Sequence, residues 1–203
     1  MANTQRFLVR FWGVRGSYPA PGPQTIRHGG NTACVEVQAG THTIILDAGS
    51  GLIRLGHVLL QRSEGEELNV SLFITHGHGD HLIGFPFFTP LYNPRTRISI
   101  FGPRLAGQSI EQLVTPIMSP PYFPVDVRSL PSRRIFHTIA QEEHIIWRYG
   151  DTDPIVRTKR EDSTDAEVRV ISHITNCHPQ NGALIYRIEH AGRHLVFATD
   201  VEW

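Results

Sequence analysis

Apolar residues recur along this chain in short blocks separated by Gly, Pro and charged positions, and the period within each block predicts its element. Arg6 to Trp12, Ala33 to Ala39 and Thr43 to Leu46 read as strands. Ser50 to Arg62 places Leu52, Leu55, Val58, Leu59 and Leu60 at helical spacing, an amphipathic helix with one apolar face. Val70 to Thr75 and Arg97 to Phe101 are further strands. Gln108 to Met118 is a helix, with Ile110, Leu113, Val114 and Ile117 on one face. The run Ser119-Pro120-Pro121-Tyr122-Phe123-Pro124 stops it and opens an irregular passage that is a candidate border of a site. Arg134 to Ala140 and His144 to Arg148 are short strands. Tyr149 to Ala166 is rich in Asp, Arg, Thr and Lys, and reads as a solvated loop. Glu167 to Thr175, Ala183 to Glu189 and His194 to Thr199 close the pattern as strands, the middle pair reading as a meander. Strands interleaved with outer helices imply two packed sheets flanked by helices, within one domain spanning residues 1 to 203.

Composition narrows the class without naming a function. The 203 residues are 40% hydrophobic, enough for a substantial core. Lys plus Arg and Asp plus Glu number 19 each, so the net charge is zero with His neutral, which argues against a broad basic footprint for nucleic acid. No apolar run reaches the roughly 20 residues of a membrane span. Met1 to Arg6 leads straight into a strand with no signal-peptide core, so the expected location is cytoplasmic. Cys34 and Cys177 are too few for a disulfide framework and read as reduced, buried residues.

The chemistry concentrates in His76-Gly77-His78-Gly79-Asp80-His81, four metal-binding side chains directly after a buried strand. Residues two apart on an extended segment point the same way, so His76 and His78 grip one ion. Gly77 and Gly79 leave the intervening positions bare and free to bend. Asp80 and His81 fall past the bend, placed for a second ion. A lone His-x-His is commonly a surface accident; the carboxylate and third imidazole at these spacings are not. Imidazoles with a carboxylate suit zinc, and also manganese or iron.

Thr75-His76-Gly77-His78-Gly79-Asp80-His81 resembles the T-H-x-H-x-D-H signature of the metallo-β-lactamase superfamily. Ile44 to Gly51, with Asp47-Ala48-Gly49, is similar to that family's strand ending in D-x-G. Phe11-Trp12-Gly13-Val14-Arg15-Gly16-Ser17-Tyr18-Pro19 and Gly29-Gly30-Asn31-Thr32-Ala33-Cys34 resemble the branch of cyclic phosphodiesterases and tRNA 3′-processing ribonuclease Z. The resemblance implies an α/β fold, the αββα four-layer sandwich. It implies His178 as the third ligand of the first ion and Asp200 as the carboxylate bridging both. Two divalent cations would then share a water, which loses its proton near neutral pH and attacks the substrate, with Asp80 as catalytic residue and ligand. Asp47 either orients a ligand histidine through a hydrogen bond or forms a plain turn. Arg15, Ser17, His28 and Asn31 lie in Gly/Pro-rich loops that reach the substrate or serve turn geometry alone. His42, His57, His137, His144, His173, His190 and His194 read as surface or hydrogen-bonded residues.

The family carries a further His beyond the bridging aspartate, whereas this sequence stops three residues after Asp200, at Trp203. The expectation is a domain incomplete at its C-terminus, with the closing part of the second half missing, an uncovered sheet edge and a weakened second metal site. Three functions follow from the resemblance. One is a phosphodiesterase for a cyclic or small diester, with RNA less favoured by the neutral charge. Another is a thioesterase- or lactonase-type hydrolase. The last is an inactive metal-binding fragment. The sequence leaves homodimer formation open.

Overall fold

A computed structural model describes residues 5–140, 143–158, 166–176 and 182–201. Its first sheet runs in the order β1 (Phe7–Gly13), β2 (Cys34–Ala39), β3 (His42–Leu46), β4 (Leu68–Phe73), β5 (Thr96–Gly102) and β6 (Arg133–Thr138). β1 to β3 pair antiparallel, while β3 to β6 pair parallel, so four strands end at the same edge of the sheet. The second sheet is β11 (Arg193–Phe197), β10 (Ala183–His190), β9 (Ala166–Thr175), β7 (Glu143–Arg148) and β8 (Ile155–Thr158), antiparallel throughout. Ala191 and Gly192 both have positive φ, 48° and 72°, the conformation that lets a two-residue turn follow the strand twist of β10 and β11.

Alternation along the first sheet builds two cores. Ile45, Val70, Leu72, Ile98 and Ile100 face α1 (Gly51–Arg62), where Leu52, Leu55 and Leu59 complete the helical stripe. Val35, Val37, Ile44, Leu46, Phe73 and Phe101 face the other way, against Trp147, Val168, Val170, Leu184, Tyr186 and Ile188 of the second sheet. Phe73 stacks on Phe101 at 4.6 Å and meets Tyr186 edge-on at 5.2 Å, the offset and T-shaped geometries that aromatic quadrupoles favour. Burying one such side chain contributes roughly 1.5–3 kcal/mol, so this aromatic junction is a principal tie between the sheets. Both helices pack on the first sheet; among the described residues none covers the outer face of the second.

Two elements differ from the sequence expectation. The second helix is shorter: α2 is Ile110–Val114, and Pro116–Met118 forms a separate 3₁₀ turn. Ser109 caps α2 in a reciprocal box with Gln112, but Pro116 has no N–H to continue the ladder. Within the segment expected to be loop, Ile155–Thr158 forms β8, a half-exposed strand that among the described residues pairs with β7 alone. Only its exposure alternates, and its two apolar residues, Ile155 and Val156, are too few to stand out from polar surroundings. No helix among the described residues is long and apolar enough to cross a membrane.

Candidate metal centre

The parallel strands β3 and β4 lie in register, Leu46 beside Phe73, so the segments leaving them emerge side by side. Sites of open α/β sheets form at such carboxyl ends. The Asp47 N–H donates to the Phe73 carbonyl at 2.8 Å, and Asp47 then turns through a left-handed φ of 62°. That turn delivers its carboxylate, wholly buried, beneath the histidine segment.

Every oxygen of this carboxylate is used. Oδ1 accepts the Thr75 N–H at 2.8 Å, the Thr75 hydroxyl lies within 3.0 Å of both oxygens, and Oδ2 is 2.7 Å from His81 Nδ1. The hydroxyl has one proton and gives it to Asp47, so it accepts from His76 Nδ1, which lies 3.0 Å away. Both imidazoles are thereby tied through Nδ1 and present Nε2 on the opposite side. His76 Nε2 lies 3.7 Å from Asp200 Oδ2, and His81 Nε2 lies 3.5 Å from both Asp80 Oδ2 and Asp200 Oδ2. Outer hydrogen bonds of this kind fix the tautomer of a ligating histidine.

Burial pushes His76 down to about 4, helped by the neighbouring imidazoles of His81 and His78, so it is a neutral donor at physiological pH. Burial also pulls His81 down, but the bond to Asp47 and the charges of Asp47, Asp80 and Asp200 together outweigh it and leave His81 above its ordinary value. Burial raises the Asp47 carboxyl, against the opposing hydrogen bonds from His81 and Thr75.

Two donor groups result. His76, His78 and Asp200 each offer an atom within 4.8 Å of the others, and Asp80, His81 and Asp200 do the same, with Asp200 common to both. His76 and His81 are buried while His78 opens to solvent, so the centre has a protected floor and an accessible side. Each donor group is an imidazole-carboxylate set that could hold a divalent cation, with the far nitrogens of His76 and His81 already bonded. His178 lies outside the described residues.

The loop between β1 and β2 completes the geometry. Ser17, at φ 71°, donates its backbone N–H to Asp80 Oδ2 at 2.8 Å. Arg15 stacks over the Tyr18 ring at 4.8 Å and donates from Nε to the Tyr18 carbonyl at 2.9 Å. With Phe11, Val14, His81 and Asp200, Arg15 lines a cleft of about 290 Å³. Asn31 is committed to the fold: its carbonyl accepts from Val14 and Arg15, and its side chain accepts from the Ser50 hydroxyl at 3.2 Å. His28 is exposed on the turn before it and stands outside that cleft.

Two participants carry no role in the sequence reading. Thr75 joins His76 to Asp47, and its signal was a hydroxyl at the end of an otherwise apolar strand. Ser50 exchanges hydrogen bonds with Thr32, accepting at 2.9 Å and donating its own N–H at 2.8 Å, while also holding Asn31. A clasp between residues 18 apart leaves no local pattern. Gly49, between Asp47 and Ser50, is small by necessity: a Cβ there would lie 2.4 Å from the Asp80 carbonyl.

Comparison with known proteins agrees with this geometry. The model of the metallo-beta-lactamase superfamily matches residues 27–203. Ribonuclease Z of Pyrococcus abyssi is 25% identical over 150 residues, which is 70% of this chain and 43% of the relative. Ribonuclease Z of Thermococcus kodakarensis is 28% identical over 109 residues, 52% of this chain and 33% of the relative. The chain thus spans less than half the length of these relatives. Among solved structures, the metallo-beta-lactamase fold protein YhfI from Bacillus subtilis superposes with a TM-score of 0.57 at 18% identity, over 96% of this chain and 62% of that one. A diphosphatase from the PhnP family gives 0.54 at 15% identity, over 90% and 62%. The short form of human tRNase Z gives 0.51 at 17%, over 96% and 70%. The α/β architecture, the paired His/Asp groups at the strand ends and a family match across most of its length agree: this chain belongs to the metallo-beta-lactamase superfamily.

Proposed function

We propose that the protein is a metal-dependent phosphodiesterase acting on a small or cyclic phosphodiester, with two zinc ions as its cofactors and manganese or iron as substitutes. The observation that carries this reading is the pair of donor groups sharing Asp200, each within 4.8 Å. His76, His78 and Asp200, with His178 as a further ligand, would hold one ion; Asp80, His81 and Asp200 would hold the other. Bound divalent ions supply Lewis acidity, making water nucleophilic at neutral pH and offsetting charge on phosphoryl oxygens. The chain's own groups do the rest. Asp47 and Thr75 keep His81 and His76 in the tautomers that present Nε2 for ligation. The Ser17 amide fixes Asp80, whose carboxylate orients the attacking water. Arg15, on the cleft wall, supplies positive charge for an anionic substrate.

Several of the proteins similar to this chain are named as phosphoryl-bond hydrolases, ribonuclease Z and a diphosphatase, which supports a phosphorus substrate over a carbonyl one. The balanced net charge supports a small diester over a long RNA. The test is hydrolysis of bis(p-nitrophenyl) phosphate by zinc- or manganese-loaded protein, beside a thioester and a lactone. Turnover of the diester alone, lost in Asp80→Asn, is the expected result. Turnover of the thioester or lactone instead would place the protein among carbonyl hydrolases and overturn the reading.

A further inference from the structure

β4 ends at Phe73, and Ile74 and Thr75 carry the chain from it to His76. The backbone groups of these two residues can be followed one by one. Ile74 N–H donates to the Phe101 carbonyl at 2.8 Å, continuing the bonds between β4 and β5. In a parallel ladder the carbonyl of such a residue accepts next from the position two further along the neighbouring strand. That position is Pro103, which has no N–H. The Ile74 carbonyl is taken instead by the Tyr186 hydroxyl, which donates at 2.6 Å from β10 of the second sheet. Two residues earlier on β10, Leu184 donates its N–H to the Thr75 carbonyl at 2.9 Å, while Thr75 N–H goes to Asp47. All four backbone polar groups are thus engaged directly before the first histidine.

The ring that carries this hydroxyl is held in place. Tyr186 is wholly buried and meets Phe73 edge-on, while Phe73 stacks on Phe101. Burial, with the Asp47 charge nearby, pushes the phenol well above its ordinary pKa, so it remains a donor across the physiological range. Phenylalanine would fill the same junction. What the hydroxyl adds is the bond to the Ile74 carbonyl, made two residues before His76.

We propose that Tyr186 is a positioning residue of the metal centre: by capping the Ile74 carbonyl where Pro103 ends the ladder, its hydroxyl sets the place of His76. The role rests on the two-ion reading above and is independent of the substrate. Without the hydroxyl a buried carbonyl lacks its donor, and the segment tilts to relieve it. Thr75 tilts with it, and His76, tied to the Thr75 hydroxyl at 3.0 Å, carries its Nε2 out of line. His81 lies beyond the turn and is held by Asp47, so its group is spared.

The test is Tyr186→Phe in the full chain, read with Co(II) alone in two backgrounds. Asp80→Ala disables one donor group and leaves that of His76, His78 and Asp200; His78→Ala leaves that of Asp80, His81 and Asp200. In the first background, loss of the hydroxyl should weaken Co(II) about tenfold in a chelator titration and alter its visible d–d absorption. In the second, the change should stay within about twofold. Ile188→Ala is the control for packing: it thins the same core without touching Ile74, and should lower the melting temperature while leaving Co(II) affinity unchanged. Equal Co(II) affinity with and without the hydroxyl in the Asp80→Ala background would overturn the role. So would an equal loss in both backgrounds, or a comparable loss in Ile188→Ala, since each would mean general destabilisation. No Co(II) bound in either background with Tyr186 intact would instead sink the two-ion reading, and the positioning role with it.

Discussion

Two buried histidine-carboxylate pairs occupy opposite ends of the layer between the sheets, and they behave in opposite ways. At the carboxyl ends of β3 and β4, His81 Nδ1 lies 2.7 Å from Asp47, and the surrounding carboxylates hold it above its ordinary pKa. At the other end, His42 Nε2 lies 3.7 Å from Glu167 Oε2, beyond hydrogen-bond reach, and its ring tilts against Trp147 at 5.5 Å. Burial wins there, and His42 sits below its ordinary value despite Glu167. Among the described residues His42 Nε2 and Glu167 Oε1 have no hydrogen-bond partner. Nearness of an imidazole to a carboxylate is therefore not what marks a centre. A backing bond on one ring nitrogen, with further acceptors converging on the other, separates a ligand from a core histidine.

The comparison breaks most visibly through the shared carboxylate. Asp200→Ala should remove a donor from both groups, lowering bound metal per chain by elemental analysis and cutting diesterase activity by about 10²–10³-fold or more. Retention of two ions per chain would show that Asp200 is not common to both sites. Asp47→Ala comes next: it strips the backing bond from His81 and leaves the Thr75 hydroxyl without its acceptor. Metal affinity should fall about 10–100-fold in a competitive chelator titration, with a lower melting temperature alongside. An affinity equal to wild type would mean that Asp47 serves the turn alone.

Glu167→Gln sharpens the contrast from the other side. A pair too far apart to bond contributes little, so stability should change by less than about 1 kcal/mol in urea unfolding, and metal content should not change. A loss of metal would make the two pairs equivalent and sink the distinction. The smallest effect concerns pH. His42 titrates lower folded than unfolded, so the unfolded chain binds the extra proton first, and stability declines as pH falls below the ordinary value near 6.5. His42→Phe removes that contribution, and the melting temperature should drop less between pH 7 and pH 5.5 than in wild type.

Most of the strands were legible in the sequence because both faces of the first sheet are buried, which makes its apolar runs dense. The centre was legible to the extent that it is contiguous: His76, His78, Asp80 and His81 fall within one turn, where spacing alone conveys geometry. What escaped depends on contacts that no local window contains. Ser17 and Asp80 stand 63 positions apart, and the contact is made by a backbone amide, which has no sequence signature. The role of Thr75 depends on facing Asp47, 28 positions away. The edge strand β8 escaped for a different reason, since its β-branched residues form a run of only four inside a polar segment. His42 and Glu167 show the converse: two residues of ligating type meet in space and still make no site.

The four residues Asp47 to Ser50 have a consequence for how the candidate centre responds to change. One side chain positions two histidines, the Ala48 N–H holds the His81 carbonyl at 2.8 Å, Gly49 gives clearance to Asp80, and Ser50 clasps the loop that carries Ser17. Pocket floor and pocket wall thus descend from a single corner of the chain. The same economy removes redundancy. A slip at that corner displaces both halves of the cradle together, so its variants should divide into those that hold metal nearly as wild type does and those that hold almost none.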